Sequence, residues 1–285
     1  MTWFIFFAVL FAALLHASWN ALVKSTGDKV VSMTAITIGH APLPILALPF
    51  IPAPAPESWP WLVASVVFHA GYQLFLMLSY RLGDYTQVYP IARGSGPAIV
   101  AIISVFVLGI AFETWQLAAI ALICLGIFAL GLLRQGNGLR NPQAVGAALV
   151  TGCFIASYSL IDGLGAREAG TAFGYIAWMT ILNAIVFSII IFFFNRRALG
   201  AVFTEGKTVL FLGGGASVIA YVIVVWAMTQ APIALVTALR ETSTIFALGI
   251  GVIFLKETLT VVKIMATSLT ASGVMLLKFG RMLLG

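Results

Sequence analysis

Residues 171–194 read TAFGYIAWMTILNAIVFSIIIFFF and contain no charged side chain. A helix crosses a bilayer with about 20 mostly apolar residues, and this run meets that length without interruption. Outward from it, the same rule places a first set of spans at 3–23, 31–51, 60–80, 86–109 and 115–133. A second set falls at 143–161, 171–194, 207–228, 233–255 and 260–279. The connections are too short for a soluble domain. The run PAPAPE at 53–58 reads as a stiff polyproline turn between spans.

The composition agrees. The chain has 285 residues, 61 % of them apolar and 8 % charged, with a mean hydropathy of +1.09. A soluble domain carries roughly 25 % charged and 45–50 % apolar residues, so this chain cannot cover a water-facing surface. Disorder fails for the same reason. A disulfide scaffold fails because only Cys124 and Cys153 are present, both inside apolar runs. A transmembrane β-barrel would show alternating segments of about ten residues, whereas these runs are continuous. The expectation is an all-α membrane protein of ten transmembrane helices in the cell (inner) membrane.

The net charge of +6 does not indicate nucleic acid, because apart from two arginines within apolar segments the basic residues cluster at span ends. Residues 1–25, MTWFIFFAVLFAALLHASWNALVKS, lack a basic start and carry Trp19 and Asn20 before any plausible cleavage point. They read as a first span rather than a signal peptide. The loops after spans 1, 3, 5, 7 and 9 hold Lys24, Lys29, Arg81, Arg134, Arg140, Arg196, Arg197, Lys207, Lys256 and Lys263. The opposite side holds Arg167, Lys278 and Arg281. The positive-inside rule therefore puts both termini outside the cytoplasm.

The chain also repeats itself. Ala17-Ser18-Trp19-Asn20-Ala21-Leu22 matches Ala156-Ser157-Tyr158-Ser159-Leu160-Ile161, and Ala64-Ser65-Val66 matches Ala216-Ser217-Val218. Ile91-Ala92-Arg93 matches Ala238-Leu239-Arg240, and Glu113-Thr114 matches Glu257-Thr258. The four matches keep the same order at offsets between 139 and 152. They divide the chain into halves 1–138 and 139–285 of five spans each. An odd number of spans forces the second half into the membrane upside down. The charges agree, since the loop after span 2 has no Lys or Arg and its partner after span 7 has three. Inverted repeats mark secondary transporters, whose substrate sits near the midplane between the halves.

Ten spans in two five-helix repeats resemble the drug/metabolite transporter superfamily, EamA-type family. The resemblance covers the whole chain. It is carried by Trp19-Asn20 with Lys24, by Tyr89-Pro90-Ile91-Ala92-Arg93-Gly94-Ser95-Gly96-Pro97, and by Phe254-Leu255-Lys256-Glu257. It implies a carrier whose substrate could be an amino acid, sugar, nucleotide sugar, amine or drug. Two departures stand out: the first half has its acid, Glu113, three positions late, and the second half has Thr244 where the repeat would place Pro97. Only span 4 is therefore expected to carry a break, with Pro90 and Pro97 bracketing Gly94 and Gly96.

Arg93 and Arg240 occupy equivalent places in spans 4 and 9. An Arg at a span centre costs roughly 2.5–3.5 kcal/mol on translocon scales and normally faces a cavity or partner. Near a span end it can instead snorkel or hold backbone carbonyls. Two guanidiniums related by the repeat could clamp an anionic group. Neighbouring residues on a helix point about 100° apart, so Glu241 is expected to face away from Arg240, either pairing with Arg93 across the halves or carrying a coupling proton. A net +1 among the three leans towards an anionic or zwitterionic substrate, such as an amino acid, organic acid or phosphonate.

The further candidates for the lining are Trp19, Asn20, Gln73, Tyr89, Tyr158 and Tyr221. His16 shares a face with Asn20, and His69 and Tyr72 share one with Gln73. Packing or interfacial anchoring would use the same aromatic residues. Trp3, Trp59, Trp61 and Trp115 sit near span ends and read as interface residues. Glu113 and Glu257 read as charges at the starts of spans 5 and 10. Gly213, Gly214, Gly215, Gly249 and Gly251 read as sites of close helix approach.

An enzyme reading would need a nucleophile with its base, or a metal cluster. Instead His16, His40 and His69 lie singly in spans 1, 2 and 3, and no HExxH, GxSxG or paired CxxC occurs. A channel would conduct without a saturable cycle. Within transporters the rival reading is an exporter of cationic drugs or amines that relies on Glu241. With no nucleotide-binding motif, no cofactor is expected, and an ion or substrate gradient would drive transport by proton coupling or exchange. The partners expected are the lipid bilayer and a small-molecule substrate; a homodimer stays open.

Overall fold

The computed structural model describes residues 1–83, 85–132, 141–254, 256 and 258–284. Arg134, Arg140, Leu255, Glu257 and the expected boundary between the halves at 138/139 lie outside the described residues. Thirteen α-helices are described: α1 (Trp3–Ser25), α2 (Lys29–Gly39), α3 (Pro42–Ala47), α4 (Trp59–Leu82), α5 (Tyr85–Phe106), α6 (Thr114–Leu132) and α7 (Pro142–Glu168). They are followed by α8 (Ala172–Phe194), α9 (Arg196–Val202), α10 (Gly214–Gln230), α11 (Ile233–Arg240), α12 (Ser243–Ile253) and α13 (Val261–Leu284).

The protein is an all-α membrane protein. Among the described residues, nine helices or helix pairs are long and apolar enough to cross a membrane, and a shorter apolar helix, Thr114–Leu130, makes the tenth span. Their starts follow from local chemistry. Asp28 accepts from the N–H groups of Val30 and Val31 at 2.8 and 3.1 Å, capping α2. Asn141 accepts from Gln143 N–H at 3.0 Å ahead of Pro142, and Thr171 accepts from Gly174 N–H at 3.1 Å. Large apolar side chains such as Phe106, Phe193 and Phe194 stay on the outside, where lipid rather than water meets them.

The packing repeats between the halves. α4 and α5 both pack on α7, while α10 and the α11–α12 pair both pack on α1; α6 packs on α13, and α2–α3 pack on α8. Exchanging the halves converts each set of neighbours into the other. One pair departs from this: α5 lies extensively along α6, but α12 touches α13 only lightly.

Several expectations need correction. Span 4 is not broken, because α5 runs unbroken through Pro90 and Pro97. Gly96 instead gives α7 room, since a Cβ there would lie 2.7 Å from Ile155 Cγ2. The break falls in span 9, at Glu241-Thr242 between α11 and α12. There the backbone N–H groups of Glu241 and Thr242 turn to the carbonyls of Ala238 and Leu239, three residues back, both at 3.1 Å. Thr242 and Thr244 side chains occupy carbonyls at the break, those of Leu239 and Glu241, each at 2.8 Å. Span 2 is also interrupted, at His40-Ala41 before Pro42. Span 6 continues past its expected end at 161 to Glu168, which places Asp162 and Arg167 inside the helix. Arg167 spends its donors on the end of α10, reaching Met228 O at 3.0 and 2.6 Å and Ala231 O at 3.0 Å. Of the glycines named for close approach, Gly213 and Gly214 meet α2, whereas Gly249 has nothing within 4 Å and Gly215 only an ordinary contact with Leu43.

Glu113 stands at the residue before α6 as expected, with its N–H held by Gln116 Oε1 at 2.9 Å. Lys29 and Arg81, from the loops after spans 1 and 3, line one surface pocket and so lie at the same end of the molecule.

Candidate functional site

Between the halves, spans 1, 2, 3, 6, 7, 8 and 9 line a cavity of about 70 Å³. Five of the expected residues line it: Trp19 from α1, Gln73 from α4, Tyr158 from α7, Tyr221 from α10 and Arg240 from α11. His16, His69 and Tyr72 line it as well. The repeat is visible in the wall, since Trp19 and Tyr158 come from matched hexapeptides. Ser65 and Ser217, from matched tripeptides, each contact a histidine: Ser65 Oγ lies 3.2 Å from His69 Nδ1, and Ser217 Oγ lies 2.9 Å from His40 Nε2.

Asn20, Tyr89, Arg93 and Glu241 do not line the cavity. Asn20 donates its amide to the carbonyl of His16 at 2.7 Å, back along its own helix. The guanidinium pair expected to clamp a substrate closes on the protein's own carboxylate. Arg93 Nε donates to Glu241 Oε2 at 3.0 Å, and its Nη2 lies 2.8 Å from Oε1 in an ion-pair contact whose N–H is not aligned for a hydrogen bond. Arg240 approaches the same Oε1 at 3.5 Å through Nε and Nη2. Glu241 thus pairs with Arg93 across the halves, and it also faces Arg240. The helical angle between neighbours does not hold there because α11 ends at Arg240. All three residues are buried.

This triad leaves Arg240 in a double position, touching Glu241 on one side and lining the cavity on the other. Four residues of the lining each keep one buried polar atom with no hydrogen-bond partner among the described residues. These are Trp19 Nε1, a donor, Gln73 Oε1 and Asn183 Oδ1, which are acceptors, and Arg240 Nε, a donor that faces Glu241 Oε1 at 3.5 Å in an ion-pair contact. The Gln73 amide is oriented by its Nε2, which donates to Thr37 Oγ1 at 3.0 Å. Buried polar groups of folded proteins are almost always hydrogen-bonded, so the three of these atoms that face no ionic partner, Trp19 Nε1, Gln73 Oε1 and Asn183 Oδ1, mark a surface made for a polar occupant. The aromatic faces of Tyr72, Tyr158 and Tyr221 supply the apolar share of the wall, as pockets for small molecules require.

Sequence reasoning missed Asn183 and Asp162. Asn183 is the one amide in the 171–194 run, and a polar side chain midway along an uncharged span was the available signal. Asp162 is fully buried on α7. It accepts from Tyr175 Oη–H at 3.2 Å and from Tyr221 Oη–H, and its Oδ2 lies 3.8 Å from His69 Nε2. It escaped notice because span 6 was ended one residue before it.

Comparison with known proteins adds the following. Residues 143–279 match the EamA-like transporter family. No curated protein matches the chain. Solved structures do: one, described only as a crystal structure of a protein, superposes with a TM-score of 0.77 over 95 % of this chain and 98 % of its own, at 20 % identity. At that identity the likeness is one of fold.

Proposed function

We propose that the chain, a member of the EamA-like transporter family through residues 143–279, is a secondary active carrier of a small zwitterionic or anionic metabolite in the cell (inner) membrane. The observation that supports this reading is the donor and acceptor set around the cavity. A carboxylate or phosphonate takes the N–H groups of Arg240 and Trp19, as charged recognition by guanidinium favours. An ammonium donates to Gln73 Oε1 and Asn183 Oδ1 and meets the tyrosine faces. Both poles of an amino acid are then satisfied at once. Glu241 does not supply a free anion for a cationic drug, since two guanidiniums already hold it.

The repeated packing supports a reading of alternating access. Span 9 carries Arg240 at its break, and α12 beyond the break is only lightly held by α13. A substrate bound at Arg240 therefore acts on the hinge that leads into α12. Transport would be driven by a proton gradient or by exchange.

The test is a ligand-induced thermal shift of the purified protein against amino acids, organic acids, phosphonates and quaternary amines. The reading expects zwitterionic or anionic hits, reduced at least about tenfold in affinity by Arg240→Gln and by Asn183→Leu, each of which removes a buried polar partner. Hits confined to quaternary amines, and lost with Glu241→Gln, would replace it with the cationic-exporter reading.

A further inference from the structure

The site described above does not use Asp162. This carboxylate is fully buried and accepts two tyrosine hydroxyls, from Tyr175 of α8 and Tyr221 of α10. The Ser65 hydroxyl of α4 hydrogen-bonds it too, and the remaining group facing it is His69, one turn further along α4. Its ring is oriented from behind: Nδ1 lies 3.0 Å from the backbone carbonyl oxygen of Ser65. A carbonyl only accepts, so Nδ1 carries the hydrogen. In the neutral ring Nε2 is then a bare lone pair, and it points at Asp162 Oδ2 across 3.8 Å. Two acceptors face one another over a gap too long for a hydrogen bond.

Such a gap has one natural occupant. A proton entering it turns either atom into a donor, and charge-assisted N–H···O contacts close to about 2.7–2.9 Å. The geometry seen is that of the pair without the proton, with the carboxylate held by hydroxyls and the imidazole standing off by roughly 0.6 Å more than a hydrogen bond allows.

The surroundings connect this gap to the cavity. His69 and Tyr221 line it, and the His69 ring stacks on Tyr158 with centroids 4.1 Å apart. Arg240 of α11 and His40 of α2 line the same cavity and act electrostatically on His69. From α5, Tyr89 and Arg93 act on Tyr158 rather than on Asp162. Tyr72, on the same helix as His69, contacts Tyr158, and His16 of α1 lines the same cavity.

We propose that Asp162 and His69 form a proton-binding site in the cavity wall, taking one shared proton and drawing α4 onto α7 as they do so. Its consequence, coupling of a proton gradient to the movement of the halves, rests on the transporter reading. The site itself does not. α4 belongs to the first half and α7 to the second, so proton binding tightens a contact between the halves. The tyrosine hydroxyls that hold the carboxylate meanwhile tie it to α8 and α10.

The test counts protons and needs no substrate, so its failure is distinct from failure of the transporter reading. Purified full-length protein is titrated from about pH 8 to pH 5, the range where histidine chemistry operates, and proton uptake is compared among variants. A shared proton predicts that Asp162→Asn and His69→Gln each take up one proton fewer than wild type and that the double variant loses no more than either. Loss with His69→Gln alone, or losses that add in the double variant, would mean independent groups and overturn the proposal. Should Asp162→Asn fail to fold, wild type labelled with carbon-13 at its aspartate carboxyls must show an infrared carboxyl change over the same range. The chain has only Asp28, Asp84 and Asp162, and His69→Gln must abolish that change; an unchanged labelled spectrum, or one indifferent to His69→Gln, overturns it.

Discussion

Arg93 and Glu241 stand 148 residues apart, one in each half, and meet in a buried ion pair with Nε donating to Oε2 at 3.0 Å. This contact ties α5 to the break in span 9. Removing one partner of a buried pair strands the other charge and costs about 3–5 kcal/mol. Arg93→Met is therefore expected to lower the unfolding temperature sharply, and Arg93→Met/Glu241→Gln to recover most of the loss. Equal unfolding temperatures for the single and double variants would show that the pair is not coupled.

A second prediction concerns α2 against α10. A Cβ on Gly39 would clash with the Leu210 carbonyl oxygen and lie 3.0 Å from Gly214 Cα. Backbone cannot yield as a side chain does, so Gly39→Ala should cost about 1–3 kcal/mol. Gly249→Ala, with nothing within 4 Å, should be neutral or gain up to about 1 kcal/mol as a helix-interior replacement. Thermal unfolding of the two variants side by side checks the contrast.

Arg167 gives a third. Its guanidinium bridges the last carbonyls of α10, Met228 O and Ala231 O. Arg167→Met should destabilise by about 1.5–3 kcal/mol, the range for hydrogen bonds to charged groups. Arg167→Lys should recover only part of it, because an ammonium lacks the planar fork. Full recovery with lysine would mean that charge alone suffices.

A fourth concerns orientation. In a cysteine-free background, Thr2→Cys should react with a membrane-impermeant maleimide in intact cells, and Glu205→Cys only after the cells are opened. The reverse pattern would invert the topology inferred from the basic loops.

The membrane class and the ten spans were legible because apolar run length is a direct physical requirement of the bilayer. The one break expected, in span 4, was misplaced for a physical reason. Proline and glycine in span 4 weaken a helix locally, yet the close support of α6 and α7 keeps α5 intact, with Gly96 seated on Ile155. Span 9 lacks proline at the break, and there threonine side chains take up the freed carbonyls. The polar cavity was half legible. Trp19, Gln73, Tyr158, Tyr221 and Arg240 were found through the repeat and through helical faces. Asn183 was not, because a single polar residue in an apolar span carries no spacing pattern, and Asp162 was not, because it falls one residue past the expected end of span 6. The pairing of Glu241 with Arg93 was one of the two roles the sequence left open, and the choice between them depends on long-range packing between α5 and α11.

The central claim is that the cavity moves a small zwitterion or anion through Arg240 and Asn183. Its most direct test is counterflow in proteoliposomes, using the radiolabelled compound that gives the largest thermal shift. The account predicts saturable exchange in wild type that falls at least about tenfold in Asn183→Leu, with the unfolding temperature retained, since that variant removes a buried unpaired acceptor. Non-saturable flux, or equal exchange in wild type and Asn183→Leu, would contradict it.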